Sequence, residues 1–308
     1  MAARSRRCFV RRCRRCRNNS PLVPNALDDS TIYNEPMLGR VLPTSLALIL
    51  TCAAVIQSVP LSSEVVPVRY REGLIHGFLA LSTIEGEVLA YGDLTQVVTG
   101  DRVTLRLVFH FKDGSLHDEA TIYSERGSFR LLKYHLIQKG PAFKRSMDFS
   151  FDGSTGKATA RYTDDDGKDK IADEQLKVPP DVANGITLTL LKNISPSSAQ
   201  TTLSYVAPTP KPRLVKLVIT PQGEDSFSFA GSTRKATHFV VKVDIGGVAG
   251  IVAPLVGKQP SETHIWILGG EAPAFVKSEG ALYLGGPIWR IELASPVWPK
   301  NADSKPQQ

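Results

Sequence analysis

The sequence has no cysteine after Cys52, although it holds four cysteines in 308 residues. The chain that follows Cys52 therefore folds without a disulfide bond. A domain of this length buries enough apolar surface to be stable without cross-links, so the absence of disulfides is compatible with export. Hydrophobic residues make up 42% of the chain, which is enough for a core and excludes a disordered or fibrous protein.

The net charge of the folded part is also small, because most of the positive charge lies in the first residues of the chain. Eight arginines precede Asn18, and the three acids Asp28, Asp29 and Glu35 precede Met37. Removing these residues from the formal net charge of +7 leaves +2 for the remainder. We therefore expect no nucleic-acid partner for the folded part.

Motifs for catalysis are absent as well. The chain has no Gly-x-Ser-x-Gly elbow, Gly257-Lys258 lacks the flanking residues of a phosphate loop, and 246–250 fails the dinucleotide spacing. The sequence therefore assigns no catalytic residue and no cofactor, and it favours a protein that is not an enzyme.

An apolar segment from Val41 to Val59 runs without a charge between Arg40 and Pro60. Residues 37–60 therefore form either a signal peptide or a marginal membrane anchor. The positive charge precedes this segment, so the following domain is expected outside the cytoplasm, either free or anchored through the leader. The predicted location is periplasmic or extracellular.

Residues 1–36 form a basic, disordered arm in this interpretation. If translation starts at Met37, the arm is never translated, and a peptide from it in cells would refute that hypothesis. Three alternatives for the arm are a twin-arginine export signal at 5–11, zinc binding by Cys13 and Cys16, and binding of nucleic acid or anionic lipid. Lipid attachment at Cys52 is a further alternative.

Alternating apolar and polar residues predict strands in residues 65–293. From Arg102 to Lys112 the alternation has period two, and Asp113-Gly114 is typical of a two-residue hairpin turn before the strand Leu116 to Tyr123. Further strands are predicted at 147–152, 158–162, 214–220, 226–230, 237–245, 264–268 and 288–293. One helix is predicted from Pro180 to about Lys192. Residues 294–308 are predicted to be a disordered tail.

Together these elements predict a mainly β fold, an antiparallel curved sheet or half-barrel with one or two covering helices. The acidic run 164–169 has two interpretations, a calcium loop or a charged hairpin tip. We favour the hairpin tip, because Tyr162 stands where a calcium loop needs its first carboxylate.

A metal site is one hypothesis for the hairpin at Asp113-Gly114. A two-residue turn would place Lys112 opposite Ser115, and therefore His110 opposite His117, with Glu119 nearby. Two adjacent histidines could hold a metal if a third ligand came from elsewhere. The simpler interpretation is a pair of solvent-facing histidines.

The second hypothesis is an apolar ligand-binding surface that includes residues 245–256. Residues 245–256 contain no charge and are rich in glycine, which is typical of a flap over a cavity, a lipid-contacting loop, or a buried crossover. The candidate ligand-binding residues come from this segment and from the inner face of the Arg102 strand; they are Ile245, Val248, Ile251, Val252, Leu255, Phe109 and Phe111.

The sequence has an exported leader, then a run of antiparallel strands, a helix and more strands. The segment that leads into the helix is Val178-Pro179-Pro180-Asp181-Val182, and the strands end in Gly285-Gly286-Pro287-Ile288-Trp289-Arg290. Over roughly Arg69 to Leu293 the layout resembles bacterial periplasmic domain-of-unknown-function proteins whose sheet forms a half-barrel like that of the lipoprotein carrier LolA. The resemblance implies a concave sheet that holds an acyl chain.

The leading hypothesis is therefore an exported, non-enzymatic binding or carrier protein for an apolar small molecule or lipid. The rivals are a metal-dependent hydrolase that uses His110 and His117, and a structural subunit of an envelope complex.

Overall fold

The computed structural model describes residues 65–246 and 260–295. The predictions for the basic arm, for the leader and for residues 296–308 lie outside the described residues. Within the described ranges no helix has the length and apolar character needed to span a membrane.

The described residues form fourteen strands and one short helix. In chain order the strands of the first half are β1 (Ile75–Thr83), β2 (Val88–Thr99), β3 (Arg102–Phe111), β4 (Leu116–Ser124), β5 (Arg130–Lys139), β6 (Met147–Asp152), β7 (Lys157–Thr163) and β8 (Asp169–Gln175). After helix α1 (Thr187–Asn193) come β9 (Thr201–Ala207), β10 (Arg213–Phe229), β11 (Ser232–Asp244), β12 (Thr263–Leu268), β13 (Ala274–Gly280) and β14 (Trp289–Leu293).

All fourteen strands join one antiparallel sheet. Its order is β8-β7-β6-β5-β4-β3-β2-β1-β14-β13-β12-β11-β10-β9, so two consecutive meanders meet where β1 pairs with β14. The sheet is open, with β8 and β9 at its edges, and it curves around α1. The predicted mainly β fold with a curved antiparallel sheet is confirmed.

The hydrophobic core lies on the concave face. Around α1, Leu190 packs in one cluster with Tyr123 of β4 and with Phe239 and Ile265 of β11 and β12. Strands from both halves of the sheet therefore contact the same helix. Most of the stability of this seven-residue helix must come from such packing, because an isolated helix of this length is not stable in water.

Period-two burial explains the strands that the alternation predicted. In β6 the side chains of Met147, Phe149 and Phe151 are buried and the intervening residues are partly exposed. The acidic run 164–169 forms the tip of the β7–β8 hairpin, where Asp164 Oδ1 accepts hydrogen bonds from the backbone N–H groups of Asp166 and Lys168.

The predicted helix start is wrong. Helix α1 begins at Thr187, and the residues from Pro180 onward form turns instead. Gly185 has a positive φ of 67°, which breaks the helical path. A Cβ at Gly185 would also lie 1.9 Å from Thr121 Oγ1, so the turn passes directly over β4.

The predicted pairing of His110 with His117 is also wrong. Of the two turn residues only Gly114 has a positive φ, 86°, and the Gly114 N–H donates to the Phe111 carbonyl at 3.1 Å. The loop therefore has three residues, a type I turn with a bulge at the glycine. This length shifts the register by one residue, so that His117 lies opposite Phe109 and His110 lies opposite Leu116.

Candidate functional site

A cavity of about 310 Å³ lies on the concave face of the second half of the sheet. Its walls come from β9 to β12, from the loop 281–285 between β13 and β14, from Thr187 of α1 and from Gln138 of β5. Most of the lining side chains are aliphatic or aromatic, and they include Val215, Leu217, Val241, Ile245, Ile265 and Leu282. Cavities of this size and character are typical of sites for small apolar molecules.

Gln138 connects this cavity to a buried histidine. Its Nε2 donates to the Leu282 carbonyl at 2.9 Å and lies 3.1 Å from Nδ1 of His117. Because a carbonyl only accepts hydrogen bonds, Nε2 must be the donor, and His117 Nδ1 must therefore accept. The imidazole hydrogen of this neutral tautomer then lies on Nε2.

His117 itself is enclosed by aromatic rings. Its ring lies 6.1 Å from that of Phe109 and 6.4 Å from that of Phe143, and the residue is only 3% exposed. The Nε2 atom has no hydrogen-bond partner among the described residues, and the nearest carboxylate oxygen, Oε2 of Glu119, is 3.9 Å away. A buried N–H group without a partner costs free energy, so this donor is a cost that the surrounding packing must offset.

Two tyrosines lie beside Glu119. The hydroxyl groups of Tyr134 from β5 and Tyr205 from β9 interact with each other, and both also interact electrostatically with the Glu119 carboxylate. Burial raises the pKa of Tyr134 and of Tyr205, and the negative charge of Glu119 raises it further. Both hydroxyls therefore stay protonated at neutral pH.

The register explains why these groups share a face. In β4 the residues His117, Glu119 and Thr121 alternate onto the concave side, and His117 lies opposite Gln138 while Thr121 lies opposite Tyr134. Curvature of the sheet then brings Tyr205 of β9 against Tyr134. We call the group of His117, Glu119, Tyr134, Gln138 and Tyr205 the polar floor.

The structure places the predicted ligand-binding residues in three different surroundings. Ile245 lines the cavity. Phe109 and Phe111 are buried in the cluster that contains Phe143 and Trp289, behind His117, and they do not line this cavity. The remaining four, Val248, Ile251, Val252 and Leu255, lie outside the described residues.

The two candidate metal ligands do not come together. His110 is exposed on the convex face, whereas His117 is buried on the concave face, because the register differs by one residue from the expected one. Within residues 65–246 and 260–295, no group of three His, Cys, Asp or Glu side chains is arranged to hold a metal ion.

One feature of the sequence indicates the polar floor. Polar residues occupy three successive inward positions of β4, where a strand packed on a core normally carries apolar side chains. Tyr134, Gln138 and Tyr205 carry no such signal, because the β4–β5 register decides the neighbours of Tyr134 and Gln138, and Tyr205 comes from β9, which is distant from β4 in the sheet order.

The fold and the site define a class of protein, an open curved antiparallel sheet with a mostly apolar cavity and a buried polar floor. The family model described as "Protein of unknown function (DUF3108)" matches residues 81–274, which is more than half of the chain. The chain therefore belongs to the DUF3108 family.

The solved structures that are similar to this chain include the following two. A β-barrel-like protein of the domain of unknown function DUF1849 from Brucella abortus is 9% identical, with a TM-score of 0.37; the match covers 71% of this chain and 96% of that one. The hypothetical lipoprotein YmcC from Escherichia coli K12 is 11% identical, with a TM-score of 0.30, over 72% of this chain and 85% of that one. No curated protein matches the chain.

Proposed function

We propose that the protein binds an apolar small molecule or lipid in the cavity of the concave face and does not transform it chemically. The observation that carries this proposal is the cavity of about 310 Å³ whose walls are mainly aliphatic. An apolar cavity of this kind gains free energy when a ligand removes its walls from water.

The chemistry of the site supports binding rather than catalysis. His117 contacts the cavity-lining residue Gln138, and its Nδ1 accepts a hydrogen bond from that amide instead of being oriented by a carboxylate. Within the described residues the histidine therefore lacks the support that a general base of a catalytic triad receives from an acid.

The proposed location of this binding protein is the periplasm or the cell exterior, with or without an anchor. It rests on the uncharged segment Val41 to Val59 and on the positive charge before it. A carrier or receptor for apolar molecules has a clear use outside the cytoplasm, because such molecules cross the aqueous space slowly without a protein.

The test is a titration of delipidated protein with a dansyl-labelled fatty acid, followed by dansyl fluorescence. We expect saturable binding with one site per chain. The variant Ala207→Phe places a ring on the cavity wall and should weaken binding by roughly tenfold or more.

The matched control is Ala274→Phe, which adds the same ring at an exposed position at the start of β13. It should bind like the wild type. Absence of saturable uptake of the dansyl-labelled fatty acid, and of natural fatty acids and phospholipids, by the wild-type protein would overturn the proposal.

A further inference from the structure

One charged side chain lines the cavity of the concave face. Arg213, the first residue of β10, belongs to the walls, and the other lining residues that the structure describes carry no charge. Arg213 is exposed, and within residues 65–246 and 260–295 its side chain forms no ion pair with a carboxylate. Because an arginine stays protonated in proteins, a permanent positive charge without a partner lies at a mainly apolar cavity.

The strand pattern explains why this charge belongs to the cavity. Arg213, Val215 and Leu217 are spaced two residues apart in β10, so they share one face of the strand, and all three line the cavity. Arg213 lies opposite Ala207 at the end of β9, which is a lining residue too. The arginine therefore takes a position that alternation gives to the cavity.

The charge lies at the outer end of this row of side chains. Val215 and Leu217 are each 5% exposed, and Ile219, the next residue on the same face, is fully buried in the core around α1. With a rise of about 3.3 Å per residue, the row from Arg213 to Leu217 spans roughly 13 Å. An apolar chain that lies against the two buried residues therefore brings the end nearest to solvent towards the guanidinium group.

Three kinds of headgroup can be compared beside Arg213. A carboxylate accepts two hydrogen bonds from the planar guanidinium group and neutralises its charge. A hydroxyl group accepts a hydrogen bond but leaves the charge without a counter-ion. An ammonium group would be repelled, and none of the described lining residues offers it a carboxylate.

The size of the cavity favours a ligand with one chain. Its volume of about 310 Å³ lies at the lower end of the range of about 300–1,000 Å³ that is typical of pockets for small molecules. We propose that the natural ligand is a single-chain amphiphile with one negative charge, whose anionic headgroup pairs with Arg213 while its apolar chain lies against Val215 and Leu217. This inference rests on the proposed binding function and names the class of ligand for the same cavity.

The test is isothermal titration calorimetry with three ligands that share a ten-carbon chain, decanoate, decanol and decylamine, at neutral pH. This method measures each ligand without a labelled probe. We expect the wild type to bind decanoate most tightly. The variant Arg213→Gln should weaken decanoate binding roughly threefold to tenfold, the value of one charged contact at an exposed site, and should leave decanol binding within about twofold.

Two further measurements show whether the effect is electrostatic and local. Arg213→Glu should reverse the order, so that decylamine binds more tightly than decanoate. High salt should lower the ratio of decanoate affinity to decanol affinity in the wild type, because salt screens an exposed charge. Arg102→Gln is the matched control, because it makes the same change at an exposed arginine of β3 that does not line the cavity, and it should leave this ratio unchanged.

The outcomes separate the two proposals. Tighter binding of decanol than of decanoate by the wild type, or a preference for decanoate that survives in Arg213→Gln, overturns the inference about the headgroup and leaves the proposed function in place. Failure of the wild type to bind all three ligands and the dansyl-labelled fatty acid overturns the proposed function. Decanol binding by each variant shows that the variant is folded.

Discussion

At the residue scale, close packing in the first half of the sheet depends on a position without a side chain. Gly92 lies in β2 opposite Phe109 of β3, and Phe109 is fully buried in the cluster with Leu81 and Trp289. A Cβ at Gly92 would lie 2.4 Å from the Phe109 ring, which is far inside van der Waals contact. The ring occupies the space that any other residue at this position would need.

The variant Gly92→Ala should therefore destabilise the protein by about 1–3 kcal/mol, the usual cost of overpacking a core. Urea unfolding followed by circular dichroism measures this free energy. Gly77→Ala is the matched control, because Gly77 lies in the adjoining strand β1 and its added Cβ would meet only Leu94, at 4.0 Å. The explanation fails if both variants have the same stability.

At the element scale, the pair β11–β12 carries a polar and aromatic cluster on the face opposite the cavity. His238 Nε2 lies 2.9 Å from His264 Nδ1, and the His238 ring stacks on Trp266 with the centroids 4.4 Å apart. Lys277 Nζ lies 4.0 Å above the Trp266 ring, and Trp266 Nε1 donates to Asp225 at 2.7 Å. These contacts link four neighbouring strands behind the wall of the cavity.

Burial lowers the pKa of His238 below its usual value of 6.5, and the neighbouring His264 and Lys277 lower it further, against the opposing effect of Asp225 and Glu279. As the pH falls below 6.5, the unfolded chain therefore takes up a proton at this position before the folded protein does. The stability that neutral His238 contributes is complete above this pH and is lost as the pH falls towards the lower pKa of the folded state.

We expect the free energy of unfolding to fall less steeply between pH 7.5 and pH 5 in His238→Gln than in the wild type. The glutamine amide keeps a hydrogen-bonding group near His264 but does not titrate. Urea unfolding at several pH values measures the difference, which isolates His238 from the other five histidines. Parallel pH curves for the two proteins would contradict this assignment.

At the scale of the whole molecule, the connection from β8 to β9 protects one edge of the sheet. This connection carries the chain from one edge strand to the other. The Ala183 N–H donates to the Ser204 carbonyl at 2.9 Å, and the amide of Asn184 both donates to the Val206 carbonyl and accepts from the Val206 N–H, at 2.8 Å each. The Ser204 carbonyl and both backbone groups of Val206, in edge strand β9, are thereby satisfied without a further strand.

Asn184→Ala should destabilise the protein by about 2–4 kcal/mol, because two backbone groups of Val206 lose their partners in a fully buried place. Thermal and urea unfolding measure this loss, and light scattering should show more aggregation through the uncovered edge. Ser198→Ala, at a partly exposed position in the same connection, should change stability by less than about 0.5 kcal/mol. A small effect of Asn184→Ala would show that the edge does not need this amide.

The sequence by itself determined the class of fold, because side-chain alternation in strands is a local property. The strands β3, β6 and β7 follow from residues within each segment, and the lack of helical periodicity elsewhere excluded other classes. Strands β1, β2 and β5 show no clear alternation, since Gly77 and Gly92 interrupt two of them and a register shift lies beside the third. Their presence depends on pairing with neighbours.

Only the tertiary structure decided which side chains share the site. One residue of loop length in the β3–β4 hairpin moved His110 to the convex face and left His117 inside. Tyr205 meets Tyr134 and Glu119 because the sheet curves until β9 faces β4 and β5 around α1. Alternation fixes which residues of a strand share a face. The contacts between faces depend on strand order, register and curvature, which result from burying surfaces that are distant in the chain.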